Sequence, residues 1–217
     1  MARRAANTVT PDVKQQLLRV ATRLFSDRGF SGTSIQAIAE EVGITKPSLL
    51  YHYPSKDSLR EAVLEDLIAE WEIRLPRVLA VATEGTDRFK AIFTEAAEFF
   101  REDPNRARLI LREAVDRPQE TRDRLGGHIG PWVRLLTDAI RSGQEAGRVR
   151  PEVDPEAWLV GLVVQVIGTY AAADLATSIF PSNEVDQANP YGMADRQINE
   201  ITRMARTSLF VPPKVKP

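Results

Sequence analysis

The stretch between Gly32 and Pro54 constrains this 217-residue chain more than any other part of its sequence. Its first half carries apolar residues at a spacing that places them on one face of a short helix, and these are Ile35, Ile38, Ala39 and Val42. Gly43 then favours a helix end, and a second short helical pattern begins almost at once. Two short helices with apolar inner faces, joined by a tight glycine turn, predict a helix-turn-helix.

Capping residues indicate where these two helices begin. Thr33 and Gln36 have the spacing of a capping box, so we predict Thr33 as the N-cap of the second helix of the chain. Thr45 is the predicted N-cap of the third helix, and Pro47 suits its first turn. The third helix should end near Tyr53, because a following proline disfavours helical geometry in the residue before it. Gln36 is explained as the capping-box partner of Thr33, and Pro47 as a residue that favours the first turn of a helix. The alternative is that either residue contacts a binding partner.

The third helix separates its polar from its apolar residues. Leu49 and Tyr53 should face the protein core. The polar positions are Lys46, Ser48, Tyr51 and His52. Side chains of these types bind phosphates and base edges, and a tyrosine ring can stack on a sugar or a thymine methyl group. Because the second helix of a helix-turn-helix can enter the major groove, the pattern predicts DNA binding.

Two further residues lie where the beginning of a helix favours an anion. Lys56 stands at the start of the fourth helical pattern, and Thr33 stands at the start of the second. Free backbone N–H groups and the helix dipole both attract phosphate at such positions. We therefore expect Lys56 and Thr33 to contact DNA phosphates.

Charge is unevenly distributed along the chain. Residues 1–56 contain eight Lys and Arg against four Asp and Glu, a net charge of +4, which leaves −5 for the remainder. A basic end on an acidic body is typical of a protein that binds a polyanion at one end, and chance variation in composition is the alternative.

The composition argues against several kinds of site. The sequence has no cysteine, which excludes a disulfide framework, thiolate metal ligands and a cysteine nucleophile. It shows no metal-ligand spacing and no glycine-rich phosphate loop, and its two histidines are far apart, so we expect no enzyme, metal or cofactor. No eighteen apolar residues follow one another without interruption, which predicts a cytoplasmic protein without a membrane span.

Helical patterns continue through the rest of the chain, and no strand pattern competes with them. The predicted fold is all-α with about nine helices. Gly29 should stop the first helix, and Pro76 should kink or end the long fourth helix. Gly126 and Gly127 should break a short helix further on. A domain boundary is expected at or inside the fourth helix.

Residues 24–59, LFSDRGFSGTSIQAIAEEVGITKPSLLYHYPSKDSL, resemble the TetR family of one-component regulators. The likeness rests on a helix ending in RGF, a threonine at the second helix, IA before a glycine turn, a third helix rich in Tyr and His, and a PSK step. By this resemblance, the positions that often touch DNA are Thr33, Gln36, Thr45, Lys46, Pro47, Ser48, Tyr51, His52 and Lys56. Many members have an aromatic residue where this chain has Leu50, so Tyr51 should carry more of the base recognition.

The resemblance also implies a role for the rest of the chain. Family members are generally homodimers joined through their last two long helices, and they bind a small molecule among the helices from the fourth to the eighth. We therefore predict a DNA-binding helix-turn-helix domain at 1–54 and a ligand-sensing and dimerisation domain at 55–217. A twofold dimer should read a palindromic operator.

The expected mechanism is a two-state switch. An effector would tilt the fourth helix, change the spacing of the two recognition helices and release the operator. This describes a repressor. An activator of the same fold is the first alternative, and a helical adaptor that binds proteins is the second.

The helix that starts at Pro155 supplies material for both dimerisation and sensing. It is apolar on most of its circumference, so it needs cover from a partner subunit or, as an ordinary core helix, from its own chain. Candidate ligand contacts are Trp71, Phe89, Phe93, Phe100, Trp132, Trp158, Gln165, Thr169 and Tyr170. Gln165 and Thr169 share a helix face and would orient a ligand in an apolar pocket, or bond to each other, to backbone or across a dimer. The aromatic set favours an apolar or amphipathic effector.

Overall fold

The computed structural model describes residues 12–81, 85–179 and 192–212. Within these ranges the chain forms α-helices and no β-sheet, apart from a bridge between Val149 and Phe210. The helices are α1 (Val13–Gly32), α2 (Ile35–Val42), α3 (Lys46–His52), α4 (Lys56–Val81), α5 (Gly85–Glu102), α6 (Pro104–Asp116), α7 (Pro118–His128), α8 (Gly130–Glu145), α9 (Pro155–Ala171), α10 (Ala173–Ile179) and α11 (Gly192–Leu209). The predicted all-helical fold is confirmed, and the described ranges hold eleven helices rather than about nine.

Three helix boundaries differ from the sequence prediction. The apolar pattern that starts at residue 155 forms two helices, because α9 and α10 are bent by 68° on either side of Ala172. Gly126 and Gly127 lie inside α7, so the predicted break is wrong; a glycine within a helix costs only about 1 kcal/mol. α4 continues past Pro76 to Val81, so the helix does not end there.

The chain divides into two compact units, Met1–Leu67 and Ile68–Pro217. The first unit holds α1, α2, α3 and the beginning of α4. Its core side chains are almost inaccessible to solvent, and they are Leu17, Ala21, Leu24, Phe25, Ile38, Ala39, Leu49, Leu59 and Val63. Three helices and the start of a fourth therefore share one close-packed core.

The end of α1 depends on an unusual backbone conformation at Gly29. This residue has φ 74° and ψ 169°, outside the helical region, and the helix resumes for a last turn to Gly32. A positive φ favours glycine because it has no Cβ. The predicted stop at Gly29 is thus an interruption. Thr33 is the C-cap that follows Gly32, and its N–H donates to the carbonyl oxygen of Phe30 at 3.3 Å.

α9 is the central helix of the second unit, where it packs against α5, α6, α8 and α11. Its buried residues include Leu162, Val166 and Tyr170. A smaller apolar cluster of Ile140, Val149 and Leu209 joins α8 to the end of α11. One side of α9 is therefore core, as an ordinary central helix requires.

Candidate nucleic-acid interface

The protein core holds one side of α3. Leu49 is 0% exposed, and its N–H donates to the carbonyl oxygen of Thr45 at 3.1 Å. The side chain of Thr45 accepts a hydrogen bond from the N–H of Ser48 at 3.3 Å, and Pro47 occupies the first turn. The helix ends at His52. The predicted N-cap, first-turn proline, core leucine and helix end are confirmed.

Five other residues of α3 are accessible to solvent. Lys46 and Pro47 are exposed, and Ser48 and His52 are half-buried. Tyr51 is 86% exposed, and its ring lies edge-to-face against His52 with ring centroids 5.6 Å apart. A tyrosine this exposed offers most of its ring area and its hydroxyl to a partner. We call these five residues the α3 face.

α2 begins one residue later than the sequence predicts. Its N-cap is Ser34, whose side chain accepts from the N–H of Ala37 at 3.0 Å, so the assignment of Thr33 as N-cap is wrong. Thr33 instead terminates α1. Gln36 is exposed, and its Nε2 donates to Oε1 of Glu40 at 2.6 Å, so it is not the capping-box partner of Thr33.

The side chains of Thr33 and Lys56 are directed into the first unit. Thr33 is 2% exposed, and its hydroxyl donates to the carbonyl oxygens of Leu24 at 3.0 Å and Gly29 at 2.8 Å. The ammonium of Lys56 donates to the carbonyl oxygens of Phe30 at 2.8 Å and Thr33 at 2.9 Å. The phosphate contacts predicted for these two residues stay predictions, and both side chains already have partners within the protein.

The predicted ligand-binding residues fall into two aromatic groups in the second unit. Trp71 lies edge-to-face against Phe99, which contacts Phe100, and Phe100 contacts Tyr170 at a centroid distance of 6.3 Å. The other group surrounds Phe89, whose ring centroid lies 6.0 Å from Phe93, 5.7 Å from Trp158 and 5.9 Å from Phe210. The aromatic residues Phe99 and Phe210 were not among the predicted contacts, although both extend these groups.

Burial has an electrostatic consequence in the first of these groups. Tyr170 is almost inaccessible to solvent, and burial raises the pKa of its phenol to about 12. The phenol therefore remains neutral at ordinary pH and is a hydrogen-bonding group rather than an acid or base.

The remaining predicted ligand contacts do not converge. Thr169 is buried, and its hydroxyl donates to the backbone carbonyl oxygen of Gln165 at 2.9 Å, which is the backbone alternative. The side chain of Gln165 is exposed on α9, and Trp132 is half-buried on α8. The side chains of Gln165 and Thr169 therefore do not form a pair inside one pocket.

An ion-pair network joins α4, α5 and α6 within the second unit. Arg74 contacts Glu70 at 2.8 Å, Glu95 at 3.2 Å and also Glu102, while Arg106 contacts Glu70 at 2.8 Å and Glu102 at 3.4 Å. A hydrogen bond from Arg74 is the largest cause that lowers the pKa of Glu102, and the same bond raises the pKa of Arg74. The helical spacing of Glu70 with Arg74 is visible in the sequence, but Glu102 ends α5 and Arg106 lies on α6, so the convergence of the four side chains depends on packing.

A second side of α9 is apolar and exposed. Val160 is 60% exposed and Val164 is 62% exposed. A Cβ built onto Gly161 or Gly168 would meet nothing within 4 Å, so the space beside both glycines is open. We call these four residues the α9 face. Taken singly, none of the described helices is long and apolar enough to cross a membrane, although the bent pair of α9 and α10 meets that test by length and composition.

A short recognition helix with an exposed lysine and tyrosine, set on a glycine turn and followed by a larger helical unit, defines a helix-turn-helix transcriptional regulator. The family model described as "Bacterial regulatory proteins, tetR family" matches residues 17–63. A second, described as "Tetracyclin repressor-like, C-terminal domain", matches residues 85–188. The chain belongs to the TetR family, which confirms the resemblance drawn from residues 24–59.

Curated relatives include a repressor and an activator. The chain is 29% identical over 151 residues to the HTH-type transcriptional repressor KstR2 of Mycolicibacterium smegmatis, covering 65% of this chain and 69% of that one. It is also 29% identical over 155 residues to the HTH-type transcriptional activator FasR of the same species, covering 68% of each chain. The solved structure of the ketosteroid transcriptional regulator KstR2 of Mycobacterium tuberculosis has the same fold, with a TM-score of 0.68, 18% identity and coverage of 94% and 97%.

Proposed function

We propose that this regulator is a repressor that binds a palindromic operator as a homodimer and is released by a small-molecule effector. The observation that carries the proposal is the division of α3 into a buried Leu49 and an exposed side with Tyr51 and Lys46. The proposed base and phosphate contacts come from the α3 face, together with Gln36 and Thr45, and the phosphate contacts predicted for Thr33 and Lys56 belong to the same proposal. Residues 1–54 are the proposed DNA-binding domain and residues 55–217 the sensing and dimerisation domain.

Selection from random duplexes tests this proposal for an operator of any sequence. The full chain is incubated with a library of random DNA duplexes at low salt, and bound molecules are amplified over several rounds. We expect enrichment of a palindrome whose half-sites lie about one helical turn, or a multiple of it, apart. A chain that enriches no duplex at low salt is not a DNA-binding regulator.

The α9 face is the proposed dimer surface. It is apolar and uncovered in the single chain, and the two glycines leave room for close approach of a second helix. Met204 on α11 is also exposed, and α11 packs beside α9. A second copy of this chain would cover both helices in a twofold arrangement. Sedimentation of the purified chain should therefore give the mass of a dimer.

The proposed effector site lies among the two aromatic groups of the second unit. Mostly uncharged aromatic side chains favour an apolar or amphipathic small molecule. α4 is one continuous helix from Lys56 to Val81, so a shift of its second half would be carried to its first turn. A thermal-shift screen of small molecules should find compounds that stabilise the chain and weaken its binding to the selected duplex. A compound that binds and leaves duplex affinity unchanged would contradict the release mechanism.

The direction of regulation is tested separately. At 29% identity one relative is named a repressor and another an activator, so similarity does not decide between the two roles. A reporter gene placed behind the selected duplex should fall in expression when the chain is produced, and recover when the effector is added. A rise in expression would make the chain an activator.

A further inference from the structure

Gln36 and Glu40 form a hydrogen-bonded pair on α2. Nε2 of Gln36 donates to Oε1 of Glu40 at 2.6 Å, and the two residues lie four positions apart, on neighbouring turns of the helix. Both side chains are exposed. A hydrogen bond to a carboxylate is charge-assisted, and such bonds are shorter and stronger than those between neutral groups. The amide of Gln36 is therefore oriented by a neighbour on its own helix.

The carboxylate determines which end of the amide faces Glu40. An ionised carboxylate only accepts hydrogen bonds, so the nitrogen end of the Gln36 amide must face it. The carbonyl oxygen, Oε1 of Gln36, is thereby turned away from Glu40. Without a carboxylate at position 40, the amide could turn over and present its N–H groups where the oxygen now lies.

The helix that carries this pair is anchored in the first unit. Ile38 and Ala39 are both 0% exposed, so another side of α2 is part of the core. The carbonyl oxygen of Glu40 accepts from the N–H of Gly43 at 3.1 Å, where the chain turns with a φ of 80°. The backbone positions of Gln36 and Glu40 are therefore fixed by a buried helix side and a glycine turn.

The second acidic residue of α2 has a different contact. Glu41 forms an ion pair with Arg23 of α1, and Arg23 also lies 3.8 Å from Asp27. The carboxylate of Glu41 thus joins α2 to α1. The carboxylate of Glu40 instead binds a side chain that is predicted to touch DNA. Two neighbouring acids of equal charge therefore differ in what they contact, which makes Glu41 a matched control.

We propose that Glu40 is a positioning residue, which orients the amide of Gln36 so that the operator carries a base with an amino group where Gln36 contacts it. This inference rests on the proposed function, in which Gln36 contacts DNA. In the major groove, adenine N6 and cytosine N4 are amino groups that donate to an oxygen, whereas guanine O6 and thymine O4 are acceptors. An outward amide oxygen therefore favours adenine or cytosine. Adenine should rank first, because its N7 also accepts an N–H from the amide.

Selection from random duplexes, repeated with single variants, tests the inference. Gln36→Ala identifies the half-site position that Gln36 reads, because the base preference at that position is lost. Glu40→Ala removes the positioning group, and Glu40→Gln keeps an accepting oxygen without the charge. Glu41→Ala removes the same charge from the adjacent residue. Affinities are then measured for the selected duplex and for a second duplex, in which that adenine is replaced by guanine, or that cytosine by thymine, in both half-sites.

The ratio of these two affinities is the expected readout. Gln36→Ala and Glu40→Ala should each lower it roughly five-fold. The double variant should lose no more than Gln36→Ala alone, because Glu40 acts through Gln36. Glu40→Gln should keep most of the ratio, and Glu41→Ala should keep all of it. Loss of an acidic charge strengthens binding to both duplexes in Glu40→Ala and Glu41→Ala alike, so charge alone leaves the ratio unchanged.

Three results would overturn the inference while DNA binding stands. An unchanged ratio in Glu40→Ala would show that Gln36 needs no positioning. Guanine or thymine at the position lost in Gln36→Ala would show that the amide nitrogen faces the base. No base preference lost in Gln36→Ala would show that Gln36 reads no base.

Failure of the proposed function gives a different result, because the wild-type chain then enriches no duplex at all. The contact itself is in that case decided by NMR of the full chain. The side-chain amide signals of Gln36 should shift when acidification protonates Glu40, and the shift should be absent in Glu40→Ala. Signals that do not move in the wild-type chain would refute the pair.

Discussion

The two units of this chain differ in what they leave exposed. The first has a core of side chains that are almost inaccessible, and among its described residues the large hydrophobic side chain left exposed is Tyr51, on the same short helix as the exposed Lys46. The second leaves a row of valines uncovered on its central helix, α9. A surface of mixed charge and aromatic character suits a hydrated polyanion, whereas a bare apolar helix face suits a second protein surface. The contrast indicates two different partners for one chain.

The largest expected effect concerns the α9 face. Val164→Asp places a carboxylate on the proposed dimer surface, and twofold symmetry introduces the charge twice. Burying an unpaired charge should weaken dimerisation by about 3–5 kcal/mol, and the sedimenting species should become a monomer with unchanged helix content. Ile73→Asp is the control, because Ile73 is an exposed residue of α4 that is not part of the α9 face, and this variant should remain a dimer. A dimeric Val164→Asp would remove the α9 face from the interface.

The core of the first unit gives the next largest effect. Leu49→Ala removes a fully buried side chain from behind the α3 face. The resulting cavity should lower the free energy of unfolding by about 2–5 kcal/mol, measured by urea denaturation. Val115→Ala on α6, which removes a side chain that is 72% exposed, serves as the control and should change the free energy of unfolding very little. Equal losses in both variants would mean that Leu49 contributes no more to the core than an exposed side chain does.

A smaller effect is expected at the beginning of α3. Thr45→Ala removes the side-chain oxygen that accepts from the N–H of Ser48. Loss of this N-cap should destabilise the first unit by about 1 kcal/mol, and Thr45→Ser should restore most of it. Thermal unfolding followed by circular dichroism measures both. No difference between the alanine and serine variants would show that the cap contributes nothing.

The smallest effect is a dependence on pH in the second unit. Contacts with Arg74 lower the pKa of Glu102, so the ionised form is favoured in the folded state. This stabilisation is present above the ordinary pKa of a glutamate and is lost as the pH falls through the lowered pKa. Because Glu102 is partly exposed, solvent screening should keep the contribution below about 1 kcal/mol. Glu102→Gln should therefore flatten the acid limb of the stability curve slightly; an unchanged limb would contradict the assignment.

The same contrast explains which features the sequence could predict. Thr45, Pro47, Leu49 and Gly43 act on neighbours within a few residues, so their spacing alone defines α3 and the turn before it. The predicted N-cap of α2 is wrong by one residue. Thr33 and Ser34 both carry a hydroxyl group that could cap the helix. The hydroxyl of Thr33 is bound to the carbonyl oxygens of Leu24 and Gly29, so Ser34 is the cap.

Features that depend on packing were not predictable from spacing. The carbonyl contacts of Lys56 connect residues more than twenty positions apart, and the network around Arg74 brings together three helices. Gln165 and Thr169 share a helical spacing, yet one side chain is exposed and the other is buried. The sequence of a helix that is apolar on all sides shows that the helix must be buried. It does not show which side packs against the core of its own chain.

The most direct test of the DNA-binding assignment is the affinity of a Lys46→Met/Tyr51→Ala double variant for the selected palindromic duplex, measured by fluorescence anisotropy. Both side chains lie on the exposed side of α3, so their loss should leave helix content and unfolding temperature unchanged. If each contact contributes about 1–3 kcal/mol, affinity should fall roughly thirty-fold or more. Wild-type affinity in a correctly folded double variant would show that DNA binds elsewhere, or not through this helix at all.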